Sequence, residues 1–264
     1  MSGMELKNVL VEKKEGIAKV TLNRPEALNA LDETTYDELW LAVEDVRADQ
    51  EIRAVIVTGA GRAFCAGLDL EYGRKLSEAS PQKFRAIMRK IQETFRLERL
   101  EKPVIAAVNG YALGNGCDLA LACDFRIVSE NARFGMTYTQ VGLVPDIGGA
   151  YRLTRLVGVS KAKELIFIGD MIDAKEAQRI GMVDKVVPAE DLDSAALDLA
   201  KKLTKGAPIA IGLSKMAINN SLDVDLKTAL EFDAYAQSLC FQTEDVREGM
   251  IARVQKREPA FKGR

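Results

Sequence analysis

Short β-rich runs alternate with amphipathic helical stretches over most of the chain, and this alternation restricts the fold more than any other feature. Residues 18–22 (AKVTL), 54–58 (AVIVT), 104–108 (VIAAV) and 125–128 (FRIV) are bounded by Gly, Asn or charged residues and read as strands. Between the first two, Asp32 is placed to cap a helix whose Tyr36, Leu39, Trp40, Val43 and Val46 recur at three-to-four spacing on one core-facing side. Pro81 opens a second helical stretch reaching about Arg99, striped by Phe84, Ile87, Met88, Ile91 and Phe95. Strand and helix in turn predict an α/β fold.

After Val187 the pattern becomes helix upon helix: one segment opened by Pro188, one after Pro208, a long stretch over 224–239 and a last over 243–256. No Gly/Ser-rich linker separates this tail, so the expected organisation is a core over residues 1–200 and a helical region over 201–264 that packs on it or forms a partner surface. At 264 residues, 47% hydrophobic and 29% charged with a net charge of −2, the chain has no basic surplus to suggest nucleic acid. The opening MSGMELKNVL lacks a signal-peptide pattern and no apolar run is long enough for a membrane span, which predicts a cytoplasmic protein without a membrane partner.

The chain contains no histidine. Ser-His and Cys-His nucleophiles and His-containing zinc sites are therefore excluded, and acid-base work falls to carboxylates, Tyr, Lys or Cys. The four cysteines, Cys65, Cys117, Cys123 and Cys240, show no CxxC spacing and read as buried structural thiols, with no metal or separate cofactor expected.

Two glycine-rich stretches follow strands: TGAGRAFCAG (58–67) and GYALGNGCDL (110–119). A Rossmann fingerprint needs a third glycine where these carry Phe64 and Leu119, so dinucleotide binding is not expected. Both suit places where backbone N–H groups lie bare beside a ligand. The second runs into the apolar helix DLALA, whose N-terminal amides and dipole favour a negatively charged oxygen.

These residues resemble the crotonase, or enoyl-CoA hydratase/isomerase, superfamily. The resemblance spans nearly the whole chain in order: LNRPEALNAL (22–31), AFCAGLDL (63–70), KPVIAAVNG (102–110), GNGCDLA (114–120), GLVPDIGG (142–149) and REGM (247–250). It implies a crotonase-like spiral of ββα units followed by a C-terminal helical trimerisation region, assembling as homotrimer or hexamer. It places two oxyanion-hole amides on Leu68 and Asn115, with Asn115 standing where the family usually has glycine. The same resemblance implies an acyl-CoA thioester as substrate, with the CoA along Ala27, Leu28, Arg62, Ala66, Asp69, Leu70 and Gly114, and Lys256 near a CoA phosphate.

Hydratases of this superfamily carry two glutamates where this chain has Asp118 and Tyr138. An aspartate at the position of Asp146 resembles double-bond isomerases instead. The catalytic candidates are thus Asp146, Asp118 and Tyr138. The leading expectation is an enoyl- or dienoyl-CoA isomerase with Asp146 as base. The alternatives are a hydratase, a dehalogenase- or hydrolase-like enzyme using Asp146 as nucleophile, and a noncatalytic acyl-CoA-binding protein. Asp118 reads equally as a helix-start cap, Tyr138 first as a pocket wall, and Asp124 and Glu71 as surface groups.

Overall fold

The computed structural model describes residues 6–264. In chain order its elements are β1 (Val9–Lys14), β2 (Ile17–Leu22), α1 (Glu33–Ala48), β3 (Ala54–Gly59), β4 (Ala63–Cys65), α2 (Leu70–Ser77), α3 (Pro81–Thr94), β5 (Val104–Val108), β6 (Tyr111–Leu113), α4 (Asn115–Ala122), β7 (Phe125–Ser129), β8 (Arg133–Gly135), α5 (Gly149–Ile168), β9 (Ile172–Asp173), α6 (Ala174–Arg179), β10 (Lys185–Val187), α7 (Leu192–Thr204), α8 (Pro208–Ser221), α9 (Leu226–Gln242) and α10 (Glu244–Gln255). The strands form a six-stranded sheet, β1-β2-β3-β5-β7-β10, and a four-stranded sheet, β4-β6-β8-β9. From β3 onward each long strand of the large sheet is followed by a short strand of the small sheet and then by helix, so successive ββα units step sideways in a spiral. No described helix is long and apolar enough to cross a membrane.

β3 and β5 are buried along almost their whole length because the large sheet is covered on both faces, which is why they read as continuous apolar runs rather than alternating ones. On one face Val55, Val57, Val104 and Ala106 meet Leu39 and Val43 of α1 and Leu119 of α4; on the other Ile56, Ile105, Ala107 and Ile127 meet Leu192, Ala196 and Ala200 of α7. Residue 200, the expected end of the core region, falls within α7, the helix that covers this second face.

The strands missed from the sequence are short or at an edge. β1 has one buried residue, Val9, while β4, β6, β8 and β9 have two or three residues each, too few for a period to register. The stripe on α1 also needs correcting: Trp40 is 37% exposed although Tyr36, Leu39, Val43 and Val46 are buried as expected. The Pro81 helix stops at Thr94, and residues 97–99 form a separate turn.

Asp124 is not a surface group. It accepts from the Val104 amide at 2.7 Å and from Lys215 Nζ at 2.7 Å, with side chains only 8% (Lys215) and 20% (Asp124) exposed. Lys215 Nζ also donates to the carbonyls of Leu97 at 2.8 Å and Lys102 at 3.2 Å, tying α8 to the start of β5. Removing one partner of such a pair leaves a buried charge uncompensated. Lys215→Met is expected to cost about 3–5 kcal/mol in urea unfolding. Adding Asp124→Asn should recover part of this. A single variant as stable as the parent would contradict the role of the pair.

Candidate active site

The site is built where the two glycine-rich crossovers meet. After β4 the chain is stitched to residues 28–31: the Ala66 amide donates to the Leu28 carbonyl at 3.0 Å, the Leu31 amide to the Gly67 carbonyl at 2.8 Å and the Asp69 amide to the Leu31 carbonyl at 3.1 Å. The Leu68 amide is passed over by this stitching and has no acceptor among the described residues. Gly67 adopts φ +97, and a Cβ there would lie 2.7 Å from the Leu113 carbonyl oxygen and 3.5 Å from the Asn115 amide nitrogen. The absent side chain therefore brings the backbone before Leu68 against the start of α4. A Cβ on Gly116 would come within 2.1 Å of the Cys65 carbonyl oxygen, so the same approach is required one residue further on.

The second stretch does not run directly from strand to helix as expected: Tyr111–Leu113 forms β6, and α4 starts at Asn115 behind an N-cap at Gly114. The Asn115 amide, in the first turn, also has no acceptor among the described residues. Two bare amides thus stand on neighbouring loops, those expected from the resemblance.

Asp118 lies one turn inside α4 and is not a cap. It is completely buried, and Tyr138 donates its hydroxyl hydrogen to Oδ2 at 2.6 Å. Tyr138 is therefore a hydrogen-bond donor as well as a wall. Burial, helped by the charge of Asp146, pushes the Asp118 carboxyl up to about 7 against the opposing hydrogen bond from Tyr138 and the charge of Arg152. Burial and the Asp118 charge hold the Tyr138 phenol far above its ordinary value. Oδ1 of Asp118 is buried against Gly149, where no side chain fits, and makes no hydrogen bond.

Asp146 stands in the loop before α5, and its Oδ1 is likewise buried without a partner. Burial raises its carboxyl, opposed only by its own backbone amide. This loop is pinned from two sides: Gln92 Nε2 of α3 donates to the Asp146 carbonyl at 2.7 Å, and Arg152 Nη1 of α5 donates to the Ile147 carbonyl at 2.7 Å. Arg152 Nη2 also reaches the Phe95 carbonyl at 2.9 Å and Glu98 at 3.0 Å. The sequence pattern did not single out Gln92 or Arg152. α5 also carries Arg155, Lys161, Lys163 and Glu164, so nothing in its sequence set Arg152 apart.

The expected CoA segments converge in part. Asn29 holds the loop after β3 against residues 27–29, donating to the carbonyls of Ala60 at 2.9 Å and Ala63 at 2.7 Å, which brings Ala27, Leu28 and Arg62 to one edge beside Ala66 and Gly114. Leu70 is 87% exposed there. The Asp69 carboxylate is already engaged, capping α2 and pairing with Arg24 at 3.3 Å, which leaves its side chain a structural task. Lys256 is exposed at the end of α10, and no hydrogen bond or ion pair among the described residues ties it to these loops. Cys65 and Cys123 are buried thiols pushed up to about 12, and burial raises Cys117 well above its ordinary value, so none of the three supplies a ready nucleophile. No cluster of metal-ligating side chains is found among the described residues.

Chemically, the arrangement offers two bare backbone amides and two carboxylates, the charge of Asp146 opposing ionisation of Asp118. It suits movement of a proton next to an activated carbonyl.

Comparisons with known proteins identify the family. The family model described as enoyl-CoA hydratase/isomerase matches residues 12–264. The chain is 47% identical over 263 residues to the short-chain-enoyl-CoA hydratase of Clostridium acetobutylicum, covering 99% of this chain and 100% of that one. It is 43% identical to the crotonyl-CoA hydratase of Syntrophomonas wolfei, covering 98% and 99%. A crystal structure of enoyl-CoA hydratase from Bacillus anthracis, 40% identical, superposes with a TM-score of 0.92 over 98% of this chain and 100% of that one. The chain belongs to the crotonase, or enoyl-CoA hydratase/isomerase, family of enzymes.

Proposed function

We propose that this enzyme adds water across the double bond of a 2-enoyl-CoA thioester, with Asp146 as the proton-transferring group. The observation that carries this reading is the buried Asp146 oxygen without a partner among the described residues, on a carboxylate whose charge acts on Asp118 of α4 and on Tyr36, the tyrosine bonded to the Asn115 side chain. The thioester oxygen accepts from the amides of Leu68 and Asn115, each contributing roughly 3 kcal/mol to stabilising the charge that develops there. Asp146 takes a proton from water as its oxygen bonds to C3, and the π electrons move onto the thioester oxygen. The enolate then collapses, taking the proton from Asp146 at C2. Asp118, bonded to Tyr138, is the carboxyl that stays protonated up to about pH 7 and leaves Asp146 as the ionised partner. The CoA lies along Ala27, Leu28, Arg62, Ala66, Leu70 and Gly114.

The names of the relatives weigh toward hydration over the isomerisation expected from the residues alone. Double-bond isomerisation remains the second reading because Asp118 is engaged with Tyr138, leaving one free carboxylate, and one is sufficient to carry a proton from C4 to C2. Assembly as a trimer or hexamer belongs to the same proposal. α9 has no buried residue, and its Leu226, Leu230, Tyr235, Leu239 and Phe241 are all exposed in the single chain.

Four measurements test these statements. Asp146→Asn keeps the volume but cannot accept the proton, so turnover of crotonyl-CoA should fall by roughly two to four orders of magnitude with binding retained. In heavy-oxygen water the parent should place label on C3. Unchanged mass with a shifted double bond would favour the isomerase, label in a released acid the nucleophile reading, and binding without turnover the noncatalytic one. Asp118→Asn tests the burial of that carboxyl. A group raised in the folded state supports stability below its unfolded value near 4, and that support is lost as pH rises through about 7. Between pH 4 and pH 8 the stability difference should therefore move in favour of the variant by up to about 4 kcal/mol. No movement would contradict the assignment. Light scattering at micromolar concentration should give three or six subunit masses, and a single-subunit mass would refute the assembly.

A further inference from the structure

Tyr36 stands outside the carboxylate machinery yet adjoins it. It lies in the first turns of α1, is 3% exposed, and its ring is tilted against those of Tyr72 and Phe95 with centroids 6.1 Å away in each case. Its hydroxyl oxygen accepts from Asn115 Nδ2 at 2.9 Å. The hydroxyl hydrogen has no acceptor among the described residues. A buried donor without a partner is unfavourable. Asp146 and Cys65 are close enough to act on the phenol electrostatically; burial first, then these groups, keep it well above its ordinary value, so Tyr36 is a neutral donor at any working pH.

A cavity of about 230 Å³ between α1, α2 and α3 ends on the same residue. Its inner walls are Tyr36, Tyr72, Ile91 and Thr94, and its exposed end carries Glu33 and Lys90. The exposed rim is charged and the inner end is a tyrosine bonded to the Asn115 side chain.

We propose that Tyr36 is a catalytic residue that donates its hydroxyl hydrogen to the oxygen bonded at C3, the attacking water in hydration and the departing hydroxyl in dehydration, with the cavity between α1 and α3 admitting that water. The Asn115 side chain holds the phenol in this orientation while its backbone amide serves the thioester oxygen. In the forward direction one water proton passes to Asp146, the water oxygen uses a lone pair to bond C3, and Tyr36 keeps its own proton throughout. In reverse, the donor stabilises the oxygen as the C3–O bond breaks.

This role rests on the hydration reading, and the test separates the two. Tyr36→Phe preserves the ring and its packing and removes only the hydroxyl. It is expected to lower kcat for hydration of crotonyl-CoA and for dehydration of 3-hydroxybutyryl-CoA by roughly 10- to 100-fold. KM and the melting temperature should be unchanged. Exchange of the C2 protons of butyryl-CoA with deuterium oxide should continue at the parent rate, because exchange uses Asp146 and the two amides but no oxygen at C3. Unchanged hydration in the variant would overturn the role. So would an equal loss of exchange, which would show that the hydroxyl serves the carbonyl or Asp146. A parent enzyme that exchanges C2 protons but hydrates nothing would overturn the hydration reading and the role of Tyr36 together. A parent that does not exchange would overturn the enolate reading itself.

Discussion

The architecture depends on backbone meeting backbone without side chains between. Gly67 and Gly116 face the other loop's carbonyls at distances where a Cβ would collide, so the crossover after β4 and the start of α4 are held together by the absence of side chains. This closeness brings the Leu68 and Asn115 amides near each other, and neither has an acceptor among the described residues: the chain around Leu68 is stitched past it, and Asn115 opens the first turn of α4. An α/β core that left these amides paired would have the same sheets and no site. The flanking sheets and helices keep that contact rigid, which is the condition for preorganised donors to act on developing charge.

Around the two amides the chain has gathered polar groups that are costly to bury. Asp118 is completely buried, its carboxyl raised to about 7 and bonded to Tyr138, whereas Asp146 is half-buried; each keeps one oxygen without a partner among the described residues. In the proposed reaction this asymmetry gives Asp118 the proton-holding role and Asp146 the accepting one. The loop carrying Asp146 is held by Gln92 of α3 and Arg152 of α5 through the carbonyls of residues 146 and 147.

Much of this was legible in the sequence, for identifiable reasons. The long strands declared themselves because both faces of the large sheet are covered, and α1 because Asp32 caps it and its apolar spacing is regular. The glycine stretches announced exposed amides since few other tasks require glycine at those spacings. The small sheet stayed hidden because three-residue strands have no period. The hydrogen bond from Tyr138 to Asp118, the pairing of Asp124 with Lys215 and the contact of Tyr36 with Asn115 join residues 20, 91 and 79 positions apart. Such partners are set by the spiral and not by any local pattern, so a cap, a surface group and a core tyrosine were the natural local readings.

The central claim is that the Leu68 and Asn115 amides receive the charged oxygen of a thioester enolate. Substitution of either side chain leaves its N–H in place, so the most direct test is a ligand that carries the charge. Titration calorimetry comparing acetoacetyl-CoA, which enolises readily, with free CoA tests it across a pH series. The account predicts tighter binding of acetoacetyl-CoA, with the advantage growing as pH rises and the enolate becomes available. Equal affinity for the two ligands at every pH would contradict it.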